Sequence, residues 1–162
     1  MSVSEAAPLP EELAAFIQGR VGIVMASCDP GLLTSVVFAS ACRVSPDRRR
    51  VTVIVRDTQA AACIADVRAT RRIAVSFSLP STNRSVQLKG SDAIVEPLRP
   101  FDLACVGKHT EDFINELLPL RELNEAALNA LLQSTPEELV AISFTPTEGF
   151  TQTPGPGAGA RL

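Results

Sequence analysis

Five short apolar segments lie between Val21 and Val95, each bounded by turn residues and interrupted once by a helix-forming stretch. Val21–Cys28, Thr34–Val44 and Val51–Val55 are separated by Asp29-Pro30-Gly31 and Ser45-Pro46-Asp47, residue types that set tight turns. Val51-Thr52-Val53-Ile54-Val55 is β-branched throughout. After the helix-forming stretch, Ile73, Val75, Phe77 and Leu79 alternate with Ala74, Ser76 and Ser78, a clean period of two. Pro80-Ser81-Thr82-Asn83 makes the next turn, and a fifth strand is expected over Arg84–Val95, bending at Gly90. Leu139–Phe144 is expected as the sixth. The pattern predicts a mainly β chain with helices (α+β): a six-stranded antiparallel barrel with peripheral helices.

The helices are marked by their own signals. Leu9-Pro10-Glu11-Glu12 starts one, with Leu13, Phe16 and Ile17 on one face and Gly19 beyond its end. Thr58–Val67 places Ala60, Ile64 and Val67 on one stripe, and Asp57 or Thr58 is expected to cap its first turn. A helix start at the barrel rim is a ready anion site. Helical patterning returns over Pro100–Leu118 and again over Asn124–Leu132, the latter capped by Asn124 with Leu123 and Leu128 as a staple. Residues 1–150 are expected as a single domain, and 151–162 as a Pro/Gly-rich tail that is either disordered or laid over a surface.

A net charge of −3 and a pI near 5.2 argue against a nucleic-acid partner. No apolar run is long enough to span a bilayer, and Met1–Pro8 lacks a signal-peptide pattern, so the expected location is cytoplasmic. Cys28, Cys42, Cys63 and Cys105 form no C-x-x-C pair, which predicts neither a metal site nor a disulfide framework. With neither Trp nor Tyr present, any stacking on a ligand falls to the seven Phe residues. Arg48-Arg49-Arg50 reads as a solvated hairpin turn, and Lys89 alternates with Leu88 to face outward or into a wet cleft. The sole histidine, His109, lies in a helical stretch with no G-x-S-x-G nucleophile motif near it, so hydrolytic chemistry has no support. No side chain stands out as an acid or base catalyst.

Two stretches carry a family likeness: the strand running into Asp57-Thr58-Gln59-Ala60, and Arg84-Ser85-Val86-Gln87-Leu88-Lys89-Gly90. With the order of elements from about Leu9 to Phe144, the chain resembles the pyridoxamine 5′-phosphate oxidase-like family, the FMN-binding split barrels. The resemblance implies a homodimer with FMN in clefts at the subunit interface, acting on a small-molecule substrate. It places the FMN phosphate near Val55, Arg56, Thr58 and Gln59, and the isoalloxazine beside Phe38, Ala39, Ser40 and Ala41. Ser85 and Gln87 are then expected to hydrogen-bond the flavin or its ribityl chain, with Arg84 reaching the phosphate from across the barrel.

Two departures bear on function. Oxidases of the family commonly carry an Arg-Lys pair where this chain has Ala60 and Ala61, and basic residues near the positions of Thr34, Val37 and Cys42. A phosphate favours charge-assisted donors, so pyridoxamine 5′-phosphate oxidase activity itself is not expected. An FMN-dependent oxidoreductase is the leading expectation. The alternatives are a non-catalytic binding module for haem or a deazaflavin, and a reductase that uses free FMN. By the same resemblance, His109 is a candidate haem-iron ligand.

Overall fold

A computed structural model describes residues 7–120 and 124–162. Four helices and eight strands follow one another as α1 (Glu11–Ile17), β1 (Gly22–Cys28), β2 (Thr34–Val44), β3 (Val51–Arg56), α2 (Ala61–Thr70), β4 (Ile73–Leu79), β5 (Arg84–Gly90), β6 (Ile94–Glu96), α3 (Asp102–Leu117), α4 (Glu125–Leu132), β7 (Leu139–Phe144) and β8 (Glu148–Thr151). The strands form one antiparallel sheet in the order β6-β7-β3-β2-β1-β4-β5-β8.

The α+β class and the antiparallel sheet match the sequence expectation, whereas the strand count and closure do not. The sheet has eight strands rather than six, and it is open, with β6 and β8 as its edges. The expected fifth strand Arg84–Val95 is broken in two. Between its parts Asp92 accepts hydrogen bonds from Thr145 N (2.7 Å), Thr145 Oγ1 (2.7 Å) and Arg50 Nη1 (3.1 Å), which diverts the chain from β5. The following segment joins β7 instead, pairing Ile94 with Ser143. The sheet curls until its two halves nearly meet. At Gly90 a Cβ would lie 2.7 Å from both Phe144 and the Thr145 carbonyl, so only glycine permits that approach.

The interior is filled by the alternate residues that face inward, among them Ile23, Met25, Val53, Val75, Phe77 and Leu88. Burying each such side chain stabilises the fold by roughly 2 kcal/mol. Outside, α3 covers the half of the sheet built from β2, β3 and β7, where Val106 packs on Ala41, Ile54 and Leu139. The outer face of β1 and of the first part of β2 has no such cover. Val36 and Phe38 are 62% and 66% exposed there.

The expected cap on α2 is also displaced. The helix begins at Ala61, with Ala60 at the N-cap position and no side-chain cap bond. Asp57 instead accepts from the Thr58 backbone within the preceding turn. In α4 the expected cap is present, with Asn124 accepting from Ala126 N at 2.8 Å. The proposed Leu123–Leu128 staple lies partly outside the described residues. The segment after β8 lies over a surface: Gln152 N donates to the Ser85 carbonyl (2.7 Å), and Phe150 bridges to Arg161.

Candidate functional site

A β-bulge in β2 sets the geometry of the site. Ala39 pairs with Val55 and Ala41 with Ile54, which leaves Ser40 as the extra residue. Such a bulge bends its strand and re-aims neighbouring side chains. Here it marks the boundary between the helix-covered and uncovered halves of the sheet. At that boundary lies a cleft of about 480 Å³, within the range of small-molecule sites. Its floor is Gly22, Ile23, Phe38, Ala39 and Ser40. Arg56 and Gln59 stand at the end of β3, while α3 contributes His109, Thr110, Phe113 and Leu117, and α4 contributes Leu128, Leu131 and Leu132.

The α3 wall is anchored by a buried ion pair. Asp102, at the first turn of the helix, is fully buried and accepts from Arg43 Nε at 2.6 Å and from Arg99 N at 2.7 Å. Arg43 comes from β2, only three residues beyond the bulge, and its guanidinium lies over the Phe101 ring at 5.2 Å and within 3.5 Å of Glu96. The pair therefore fixes the start of α3 to the strand that forms the cleft floor. Three turns further on, Phe113 crosses β1 so closely that a Cβ on Gly22 would stand 3.3 Å from its ring.

Arg56 ties α4 in place. Its Nε donates to Ser134 Oγ (2.8 Å), and Nη2 donates to the carbonyls of Leu131 (2.8 Å) and Gln133 (2.7 Å). A cation on the last carbonyls of a helix satisfies otherwise orphaned acceptors. Nη1 takes part in none of these bonds.

His109 is buried in the α3 wall, its ring stacked on Phe113 with centroids 6.1 Å apart. Its Nδ1 has no hydrogen-bond partner among the described residues. Burial pushes the imidazole below its ordinary pKa, and Lys108 adds to that fall; Asp112 and a hydrogen bond to the Val21 backbone oppose it.

The structure thus brings Phe38, Ala39, Ser40, Arg56 and Gln59 to one cleft. Thr58 is exposed on the adjoining turn. Ala41 and Val55 are fully buried, the first beneath α3 and the second inside the barrel. Arg84, Ser85 and Gln87 lie on β5, separated from β2 by β1 and β4. Arg84 pairs with Glu12 at 2.9 Å and covers the Phe16 ring at 4.3 Å, whereas Ser85 and Gln87 donate to Ser78 Oγ (2.8 Å) and Ser76 Oγ (3.3 Å). Sequence reasoning had no means of finding the leucines of α4 or the Arg43–Asp102 anchor. It marked His109 as a candidate only through the family likeness.

No family model and no curated protein matches this sequence. Solved structures do match its three-dimensional form. HupZ of Group A Streptococcus aligns with a TM-score of 0.55 at 12% identity, covering 93% of this chain and 99% of its own. A pyridoxamine 5′-phosphate oxidase candidate from Lactobacillus delbrueckii aligns with a TM-score of 0.53 at 12% identity, covering 93% and 99%. The fold is the pyridoxamine 5′-phosphate oxidase-like split barrel. An F420 reductase shares this split barrel, with a TM-score of 0.55 at 14% identity and coverage of 87% and 98%. Proteins of this form thus differ in function, and identities this low carry the fold alone. Among the described residues no helix is long and apolar enough to cross a membrane.

Proposed function

We propose that the cleft binds a flavin-type cofactor, FMN or a deazaflavin, and that the protein is an oxidoreductase depending on it. The observation that carries this reading is the convergence of Phe38, Ala39, Ser40, Arg56 and Gln59 on one mostly apolar cleft of about 480 Å³. The residues fit the group in both its parts. A planar tricyclic ring suits walls of Ile23, Phe38, Phe113 and Leu128, with the His109 imidazole in the same lining. A terminal phosphate suits the Nη1 donor of Arg56, the Gln59 amide and the uncapped start of α2.

When bound, such a cofactor supplies hydride transfer, and the chain supplies position and electrostatics. Ala39 and Ser40 offer backbone groups beside the bulge, and the α4 leucines exclude water from the ring. Ala60 and Ala61 leave the phosphate end with fewer cations than an oxidase of the family would have, which predicts modest affinity for FMN.

The active form we propose is a homodimer. The uncovered outer face carries Val24, Ala26, Val36 and Phe38 on adjacent strands, paired Val24 with Phe38 and Ala26 with Val36. A second copy on this face would lie against the open side of the cleft, and Ser85 and Gln87 of β5 continue the same face. The decisive test is a visible spectrum after incubation with FMN and desalting. Retained flavin bands, or a saturable shift of the flavin spectrum when the protein is titrated with FMN, support the reading, and no spectral change up to millimolar FMN overturns it.

A second reading is favoured by His109 alone. A haem in the same cleft would take the His109 imidazole as an iron ligand. A Soret band after incubation with hemin, lost in His109→Ala, would select that reading over the flavin.

A further inference from the structure

We infer that Arg56 makes α4 a lid on the cleft: an anionic group bound there engages the same guanidinium that latches the helix, so that binding closes α4 over the ligand. The inference rests on the flavin reading and adds a coupling between the cofactor's phosphate and this helix. Arg56 is the one permanently charged side chain among the residues that line the cleft. It is half-buried, and among the described residues no carboxylate pairs with it. Its partners are neutral oxygens, the Ser134 hydroxyl and the carbonyls of Leu131 and Gln133. A cation left unneutralised beside an apolar cavity favours a ligand that brings the opposite charge.

The helix depends on that latch. Leu128 is the single buried residue of α4, and Leu131 is 67% exposed. Leu131 and Leu132 line the cleft, while Glu125 and Asn129 line a second cavity of about 460 Å³. Thr110 of α3 borders both, so the helix stands between two open spaces. Its Asn124 cap acts only within the helix itself. Among the described residues, every hydrogen bond between residues 124–134 and the rest of the molecule is donated by Arg56. An element with so little buried surface opens locally at low free-energy cost.

The guanidinium has donors enough for both tasks. Nε and Nη2 are engaged with Ser134, Leu131 and Gln133, and Nη1 is not. An anion can therefore bind the guanidinium without displacing the helix, and fixing the guanidinium fixes the latch. Electrostatics sets the same direction. The carbonyls at the C-terminal end of α4 carry partial negative charge, which repels an anion unless a cation stands between them. Arg56 is that cation. A latch that favours the anion is by reciprocity favoured by it.

The test is amide hydrogen exchange of the full-length protein, free and with FMN or riboflavin at matched occupancy. Riboflavin carries the same ring without the phosphate. FMN is expected to slow exchange over Glu125–Leu132 about tenfold, as one charge-assisted contact predicts, and riboflavin by less than about twofold. Arg56→Lys keeps the charge without the planar fork, so it should still favour FMN over riboflavin but lose the FMN-induced protection of α4. Equal protection by the two flavins overturns the coupling and leaves the flavin reading intact. Faster exchange of α4 with FMN does the same, because the anion then takes Arg56 from the helix. Full protection in Arg56→Lys also overturns it. The wild-type comparison needs no variant to fold, and the variant comparison holds with FMN alone. Binding of neither flavin overturns the flavin reading and this inference with it.

Discussion

Three side chains carry most of the local chemistry, and each is committed differently. Arg43 and Asp102 are bound to one another in a buried pair, so removing either leaves a charge without its principal partner. Asp102→Ala should destabilise the protein by about 3 kcal/mol, Glu96 at 3.5 Å from Arg43 offsetting part of a larger penalty. Urea denaturation would measure it. His109 is held neutral by burial in the α3 wall. Its folded pKa lies below the unfolded value of about 6.5, so between the two the unfolded chain binds more protons. Stability therefore rises with pH across that window and declines as pH drops below about 6.5. The charges near the ring are Lys108 and Asp112 on its own helix, with Arg56 of β3 on the same cleft. Thermal melts between pH 5 and 7 should show a slope that His109→Phe reduces. None of these commitments is legible in sequence, because 59 residues separate Arg43 from Asp102 and 88 separate His109 from Val21.

At the scale of elements the sequence is far more informative. The period-two alternation in Ile73–Leu79 and the Asn124 cap of α4 appear in the structure where the residues indicate. Such signals are local, and local physics decides them. In the sequence Ile94–Glu96 merges with the fifth strand and Glu148–Thr151 gives no signal, because three or four residues are too few to display a period of their own. The first depends on Asp92 turning the chain, and the second depends on an available edge at β5. Gly90 was legible as a bend, but its contact with β7 is a property of the curled sheet. Gly90→Ala should cost about 1–3 kcal/mol by forcing Phe144 and the Thr145 backbone apart. A shift in the denaturation midpoint with unchanged slope would register it. Arg56→Ala should free the end of α4, seen as faster amide exchange over Glu125–Leu132 with smaller changes in the sheet.

For the whole molecule the proposed assembly turns on one face of the sheet. Val36 is exposed there and does not line the cleft, so Val36→Lys should leave the single-chain fold intact. If two copies associate through this face, the substitution converts a dimer to a monomer in equilibrium sedimentation at micromolar concentration. A wild-type monomer under those conditions would refute the dimer directly.

The short outer strands also bear on the proposed pairing of two copies. Both borders of the sheet are narrow: β6 has three residues and β8 four, and beside β8 Glu148 pairs with Arg161 at 3.7 Å. Borders so brief and charged offer little template for a neighbouring backbone to extend the ladder. Open-ended, filament-like growth is disfavoured, and contact is left to side chains on the broad apolar face. If two copies meet through this face about a twofold axis, the face is used up in the pairing and the proposed assembly stops at two.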